Sequence, residues 1–256
     1  MAGIAIERAG AVGTMLIDNP SRRNAMTADM YAAVRPAIKE LFADAGVRIV
    51  VLRGAGIEAF GAGSDISEFP SRRMGDDAQS FDDVEHDAWD ALAAIPVPVL
   101  AAIHGPCMGG GIAMALHTDV RIAADDATFA VPPARLGLAY PHDAVARLTE
   151  LIGPAQTKLL LYSARVIGAD EALAIGLIQE VLPKDQLDDH VANLATKISR
   201  LAPLTHRSTK LSVDSLRNTV LADAAASSRQ ACYSSNDYRE GVQAFLDKRH
   251  PQFDGT

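Results

Sequence analysis

Cysteine is nearly absent: Cys107 and Cys232 are the only two in 256 residues. Two thiols make no disulfide framework, and a reducing compartment is the expectation. No Cys/His cluster has the spacing of metal ligands, and nothing beside Cys107 would activate it. A basic excess is missing too. The formal charge is −8, whereas a nucleic-acid-binding face needs clustered positive charge. The basic clusters are short: Arg22-Arg23, Arg72-Arg73 and Lys248-Arg249-His250. They suit solvated surface or a phosphate-bearing ligand. No long hydrophobic run is present either. The most apolar stretch, 95–116, is broken by Pro96, Pro98, His104, Pro106 and four glycines, so it reads as a strand–loop–helix and not a membrane span. The start, MAGIAIERAGAVG, has no basic segment leading into an apolar one, so no signal peptide is expected. A soluble cytoplasmic protein is the expectation.

What is present is a large apolar fraction, 48% against 22% charged, enough for one globular domain with a sizeable core and a possible helical appendage. VGTMLID (12–18) reads as a strand ended by Asn19-Pro20. A helix fits from Thr27 as N-cap, with Met30, Val34, Ile38 and Leu41 along one stripe. Pro36 should kink or break it. RIVVLRG (48–54), PVLAAI (98–103) and DVRIAA (119–124) read as strands, with a helix from Asp77 to Ala94 between the first two. Strands alternating with helices predict an α/β organisation. After about residue 141 the pattern turns helical, near 141–152, 154–163, 168–175, 184–201 and 219–247. No low-complexity segment or internal repeat is visible.

Two glycine-rich turns carry the chemistry. Phe60-Gly-Ala-Gly63-Ser64-Asp65-Ile66 and Pro106-Cys-Met-Gly109-Gly110-Gly111 each follow an apolar strand-like segment and open a helix. Glycine lets backbone approach backbone, and a helix start leaves N–H groups free. Two such turns, converging, would form an oxyanion hole from the main chain alone. The bland alternative is tight helix–strand packing. Dinucleotide binding is disfavoured: Ile66 stands where the third glycine after Gly61-x-Gly63 belongs, and Gly105 to Gly110 has the wrong spacing.

AFGAGSDISEF (59–69), PVPVLAAIHGPCMGGGIAMAL (96–116) and DVRIAADDATFAVPPARLGLAYP (119–141) resemble the enoyl-CoA hydratase/isomerase, or crotonase, superfamily. The likeness continues through NPSRRNAM (19–26), ALAIGLIQEVLP (172–183) and NDYREGVQAFLDKRHPQF (236–253), covering nearly the whole chain in order. It implies an α/β fold, a spiral of ββα units over residues 1–183 with the acyl-CoA site. Residues 184–256 would be a helical trimerisation region of the same structural unit. It implies a homotrimer or dimer of trimers, with no tightly bound cofactor and coenzyme A arriving as part of the substrate thioester. No nucleic acid, membrane or metal is implied.

By the same resemblance the backbone N–H groups of Ser64 and Gly110 hold the thioester oxygen. Ala62, Asp65 and Ile66 adjoin that turn as substrate-binding positions, Asp65 also being a natural cap. Arg22, Phe245 and Lys248 occupy places that touch the nucleotide or pantetheine, Lys248 by way of a neighbouring subunit. Hydratases of the family carry glutamates at the positions of Ala113 and Pro133. A methyl group and a proline ring transfer no proton, so the two-glutamate hydration is not expected. The remaining polar loop is Ala139-Tyr140-Pro141-His142-Asp143. Tyr140, with the chain's ending, resembles the methylmalonyl-CoA decarboxylase branch, which has a histidine at Ser64 and an acid at Ala113. Tyr140, His142 and Asp143 are candidate catalytic groups. His86, His104 and His117 read as structural or surface residues. The expectation is an acyl-CoA-processing enzyme working through a thioester enolate by decarboxylase- or isomerase-like chemistry. The alternatives are a non-catalytic acyl-CoA-binding or assembly protein and a hydratase with replacement acids. An RNA-binding member is disfavoured by the charge.

Overall fold

Strand β1 (Gly3–Ala9) turns at Gly10, whose φ of 62° suits a residue without Cβ, and pairs antiparallel with β2 (Val12–Asp18). The chain then enters helix α1 (Ala28–Leu41), where the Thr27 hydroxyl accepts from the Met30 N–H at 3.2 Å. The computed structural model describes residues 2–44, 46–75 and 77–256. The further elements are β3 (Ile49–Gly54), the one-turn α2 (Phe69–Arg72), α3 (Asp77–Ala93), β4 (Val99–Ile103), β5 (Pro106–Met108) and α4 (Gly110–Leu116). There follow β6 (Val120–Ala124), β7 (Thr128–Ala130), α5 (His142–Ser163), β8 (Ile167–Gly168), α6 (Ala169–Ala174) and β9 (Glu180–Leu182). Four helices close the chain: α7 (Leu187–Ser199), α8 (Pro203–Ser215), α9 (Ala222–Ser234) and α10 (Asn236–Leu246).

Six strands form one sheet in the order β1-β2-β3-β4-β6-β9, parallel except for β1; β5-β7-β8 form a second. Bridges from Met26 to Ser64 and from Gly61 to Cys107 extend the second stack. The chain thus passes repeatedly from large sheet to small stack to helix, a spiral of ββα turns. The parallel strands are apolar on both faces because both faces are covered. Val50, Leu52, Ala101 and Ile103 face the main core with Val34 and Trp89. Ile49, Val51, Leu100 and Ile122 face Leu187, Val191 and Ala195 of α7. Asp188 at the start of α7 takes Arg53 at 3.0 Å and the buried His104 at 2.9 Å, tying that helix to the strand ends.

Three expectations change. Pro36 neither breaks nor ends α1, which runs through it. Pro36 and Ala32, whose carbonyl it leaves without a donor, both lie on the exposed face, where water replaces the lost bond. The helix expected over 219–247 is two helices, because Ser235 is extended and its hydroxyl caps the Tyr238 N–H at 3.0 Å. Helix α8 was not expected at all; Ser208 is its single buried residue, so it has no apolar stripe to read. The break between 152 and 154 is present within α5, where Gly153 has φ 75°.

Candidate active site

Gly63 and Gly109 have φ of 97° and 47°, conformations that favour glycine, and they turn the two loops toward each other. A Cβ on Gly63 would lie 3.0 Å from the Met108 carbonyl and 3.3 Å from the Gly110 nitrogen. A Cβ on Gly111 would lie 2.5 Å from the Gly61 carbonyl oxygen. One on Gly110 would overlap the Tyr31 hydroxyl and stand 3.3 Å from the Ser64 nitrogen. The glycines are therefore required for contact between the turns. The flanking amides are used: Met26 N–H donates to Gly63 at 2.8 Å, Asp65 N–H to Met26 at 2.7 Å and Gly109 N–H to Ala130 at 2.9 Å. Neither the Ser64 nor the Gly110 N–H has a partner among the described residues. Gly110 is the first residue of α4, so its N–H is free by helix geometry.

Both residues line one cavity, whose apolar wall includes Ile66, Phe69, Met108, Pro133, Leu136 and Leu138. Ala62 and Tyr140 also line it. The Tyr140 hydroxyl donates to the Gly109 carbonyl at 2.9 Å. That carbonyl belongs to the same planar trans peptide as the Gly110 N–H, and the two point in opposite directions. Tyr140, together with the Ala113 N–H that reaches the same carbonyl at 3.1 Å, therefore fixes the direction of the Gly110 N–H. Burial, with the Glu85 carboxylate next, pushes its phenol well above the ordinary tyrosine range, so it stays a donor.

The polar part of the wall is a buried chain that the sequence reading missed. The Ser64 hydroxyl donates to Glu85 Oε1 at 2.5 Å and meets the Tyr31 hydroxyl at 3.1 Å. Arg73 donates to both Glu85 oxygens, at 3.2 and 2.8 Å, and to Asp82 at 2.8 Å. Its guanidinium stacks on Phe69 and Phe81. Glu85 is 2% exposed. Burial holds its carboxyl above the ordinary glutamate range, against the lowering by Arg73 and Ser64. Trp89 lines the same wall, and its indole N–H has no partner among the described residues.

The other expected site residues fall elsewhere. His142 is exposed at the start of α5 and does not line the cavity. Asp143 points back: it lies 3.2 Å from His86 Nε2 and 3.9 Å from His117 Nε2, off the cavity wall. The one-residue step into a helix turns their side chains away from that of Tyr140. His117 is buried, stacked on Trp89, and bound through Nδ1 to the Ala113 carbonyl at 2.7 Å. Burial, then Arg147, depresses its pKa to about 4. Asp65 caps the turn, accepting from the Ser67 hydroxyl at 2.7 Å and N–H at 3.0 Å, with Arg22 at 3.5 Å. Ser67's hydroxyl is the main reason its carboxyl stays below the usual range. Phe245 is 84% exposed on α10 and Lys248 follows that helix; neither reaches this cavity within one chain. Ala113 is fully buried, Pro133 sits on the wall, and burial pushes the Cys107 thiol up, out of reactive range. No metal-holding group of side chains is present among the described residues.

Two facing glycine turns on a ββα spiral, with free N–H groups over an apolar cavity, define the class of fold as a crotonase-like spiral. The family model for enoyl-CoA hydratase/isomerase matches residues 7–256, and the chain belongs to that family. It is similar to the crotonyl-CoA hydratase of Syntrophomonas wolfei, 32% identical over 98% of this chain and 97% of that protein. It is also similar to the methylmalonyl-CoA decarboxylase of Escherichia coli, 35% identical over 82% of each. A crystal structure of an enoyl-CoA hydratase/carnithine racemase from Magnetospirillum magneticum superposes with a TM-score of 0.95 at 35% identity, covering 100% of this chain and 97% of that one. The family is one of acyl-CoA-processing enzymes. No helix among the described residues is long and apolar enough to cross a membrane.

Proposed function

We propose that the chain processes an acyl-CoA thioester by holding its carbonyl oxygen between the Ser64 and Gly110 N–H groups. Negative charge developing on that oxygen, as an enolate forms, is stabilised there, each donor contributing roughly 2.7–4 kcal/mol. The observation that carries this reading is the pair of unpartnered N–H groups converging on one apolar cavity. Tyr140 serves it by aiming the Gly110 peptide. Arg22, Phe245 and Lys248 remain the contacts for coenzyme A, Phe245 and Lys248 across a subunit boundary. Residues 184–256 are the assembly region of a homotrimer or dimer of trimers around the site-bearing 1–183.

By resemblance Ala113 and Pro133 take the places of the two hydratase glutamates, and neither side chain exchanges a proton. Decarboxylase- or isomerase-like chemistry follows: departure of CO₂, or movement of one proton, generates the enolate without a base for water. The second reading is an enoyl-CoA hydratase with a replacement acid, favoured by the carboxyl group of Glu85 on the cavity wall. Incubation with crotonyl-, methylmalonyl-, dienoyl- and aromatic acyl-CoAs, read by mass spectrometry, decides between them. Loss of CO₂ supports the first, gain of water the second. Absence of any turnover or binding would overturn both.

A further inference from the structure

Glu85 is the one carboxyl group among the cavity-lining residues, and its neighbours are arranged to keep it there. The Ser64 hydroxyl and the Arg73 guanidinium occupy its oxygens, at 2.5 Å and at 3.2 and 2.8 Å. Arg73 is itself held by Asp82 and by the rings of Phe69 and Phe81. A buried carboxyl is expensive to keep and is rarely retained without a partner or a task. Here a hydrophobic wall surrounds it, and its partner Ser64 is one of the two residues whose N–H groups face the thioester oxygen. We infer that Glu85 is the proton-transfer residue of this site, exchanging a proton with carbon α of the bound acyl thioester.

This rests on the acyl-CoA reading above. In the base direction, the Cα–H bond breaks and the proton passes to the Glu85 carboxylate. The electron pair of that bond moves into the enolate, with the charge on the oxygen between Ser64 and Gly110. In the acid direction, neutral Glu85 returns a proton to carbon α, and water reloads it after each turnover. Burial raises the affinity of Glu85 for its proton, with a smaller push from Asp82, while Arg73 and Ser64 lower it; the result lies above an ordinary glutamate, the direction a proton-exchanging carboxyl needs. Glu85 enters the cavity from α3, a different element from those that carry Ala113 and Pro133.

The test is deuterium incorporation at carbon α of butyryl-CoA in D₂O, measured by mass spectrometry, with binding followed by calorimetry. The wild-type protein is expected to bind and exchange. Glu85→Gln keeps the shape and one acceptor oxygen, but its amide nitrogen replaces the oxygen that pairs with Arg73 Nη2, so a merely structural role would lower affinity and exchange together. Loss of an acid–base group should slow it roughly 10²–10⁴-fold, with affinity changed less than about threefold. Equal exchange in Glu85→Gln overturns the inference, as does absence of exchange in a wild-type protein saturated with butyryl-CoA. A wild-type protein that binds no acyl-CoA overturns instead the reading on which it rests. Should Glu85→Gln fail to fold, Ser64→Ala carries the test. Tyr31, Arg73, Asp82 and Tyr140 remain around the carboxyl in that variant, and one of the bonds that lower its pKa is gone. The rise of the exchange rate with pH must then move to higher pH; an unmoved profile overturns the inference.

Discussion

Gly110→Ala puts one methyl group where the two turns meet. The backbone at Gly110 lies outside the positive-φ region, so the main chain accepts alanine; space is the difficulty. The new Cβ overlaps the hydroxyl of Tyr31, which is buried, and stands 3.0 Å from the Ser64 hydroxyl and 3.3 Å from the Ser64 nitrogen. Overpacking of this kind costs about 1–3 kcal/mol of stability. The displacement also separates the two N–H groups, and loss of one such donor lowers kcat roughly 10²–10³-fold. Urea unfolding and turnover of whichever acyl-CoA the panel identifies give the two quantities. The double variant Tyr31→Phe/Gly110→Ala separates them. Removing the hydroxyl relieves the overlap, so stability recovers by about 1 kcal/mol relative to the sum of the single changes. Turnover does not recover, because the methyl group still crowds the Ser64 amide. Gly110→Ala with turnover within threefold of wild type would refute the placement of the oxyanion hole.

Tyr140→Phe should leave acyl-CoA affinity within about threefold and lower kcat roughly tenfold, since the Gly110 peptide keeps the Ala113 N–H and loses its second anchor; equal losses in both would count against a positioning role. Crotonyl-CoA hydration by Ala113→Glu should stay as slow as in the wild type, because no carboxyl stands at Pro133 and Glu85 enters from another element; full restoration by that change alone contradicts the assignment. For His117, protonation is resisted in the folded protein to about pH 4 but not in the unfolded chain, so stability falls as pH drops below the unfolded pKa near 6.5. Between pH 7 and 5 this costs about 2 kcal/mol in urea unfolding, with Arg147 opposing and Asp143 favouring the charge. His117→Gln should remove that share of the decline; an unchanged decline refutes the shift. Phe245→Asp should lower the mass measured by light scattering, and an unaltered assembly would show that α10 does not form the contact.

Much of this was readable in advance where local pattern and tertiary role coincide. Residues 49–54, 99–103 and 120–124 are apolar runs because both sheet faces are covered. The glycine turns were visible because no other residue permits the approach of Gly111 to Gly61. Glu85 was not visible: it lies among Asp82, Asp83, Asp87 and Asp90, a spacing that reads as a solvated helix face. Only the arrival of Arg73 and Ser64, 12 and 21 residues away, makes it a buried site residue. Tyr140, His142 and Asp143 formed one polar cluster in the sequence, but α5 begins between them and sends Asp143 toward His86 and His117. Ser235 and Pro36 show the same limit: a cap within a helical run and a proline on a wet face depend on surroundings that the local sequence does not contain.

The central claim is that the Ser64 and Gly110 N–H groups polarise a thioester carbonyl. An infrared difference spectrum of butyryl-CoA carrying a ¹³C carbonyl, bound to the wild-type protein and to Gly110→Ala, tests it most directly. The carbonyl band is predicted to move to lower frequency on binding the wild type and to return toward its position in water in the variant. A bound carbonyl with an unshifted band in the wild type would contradict the account.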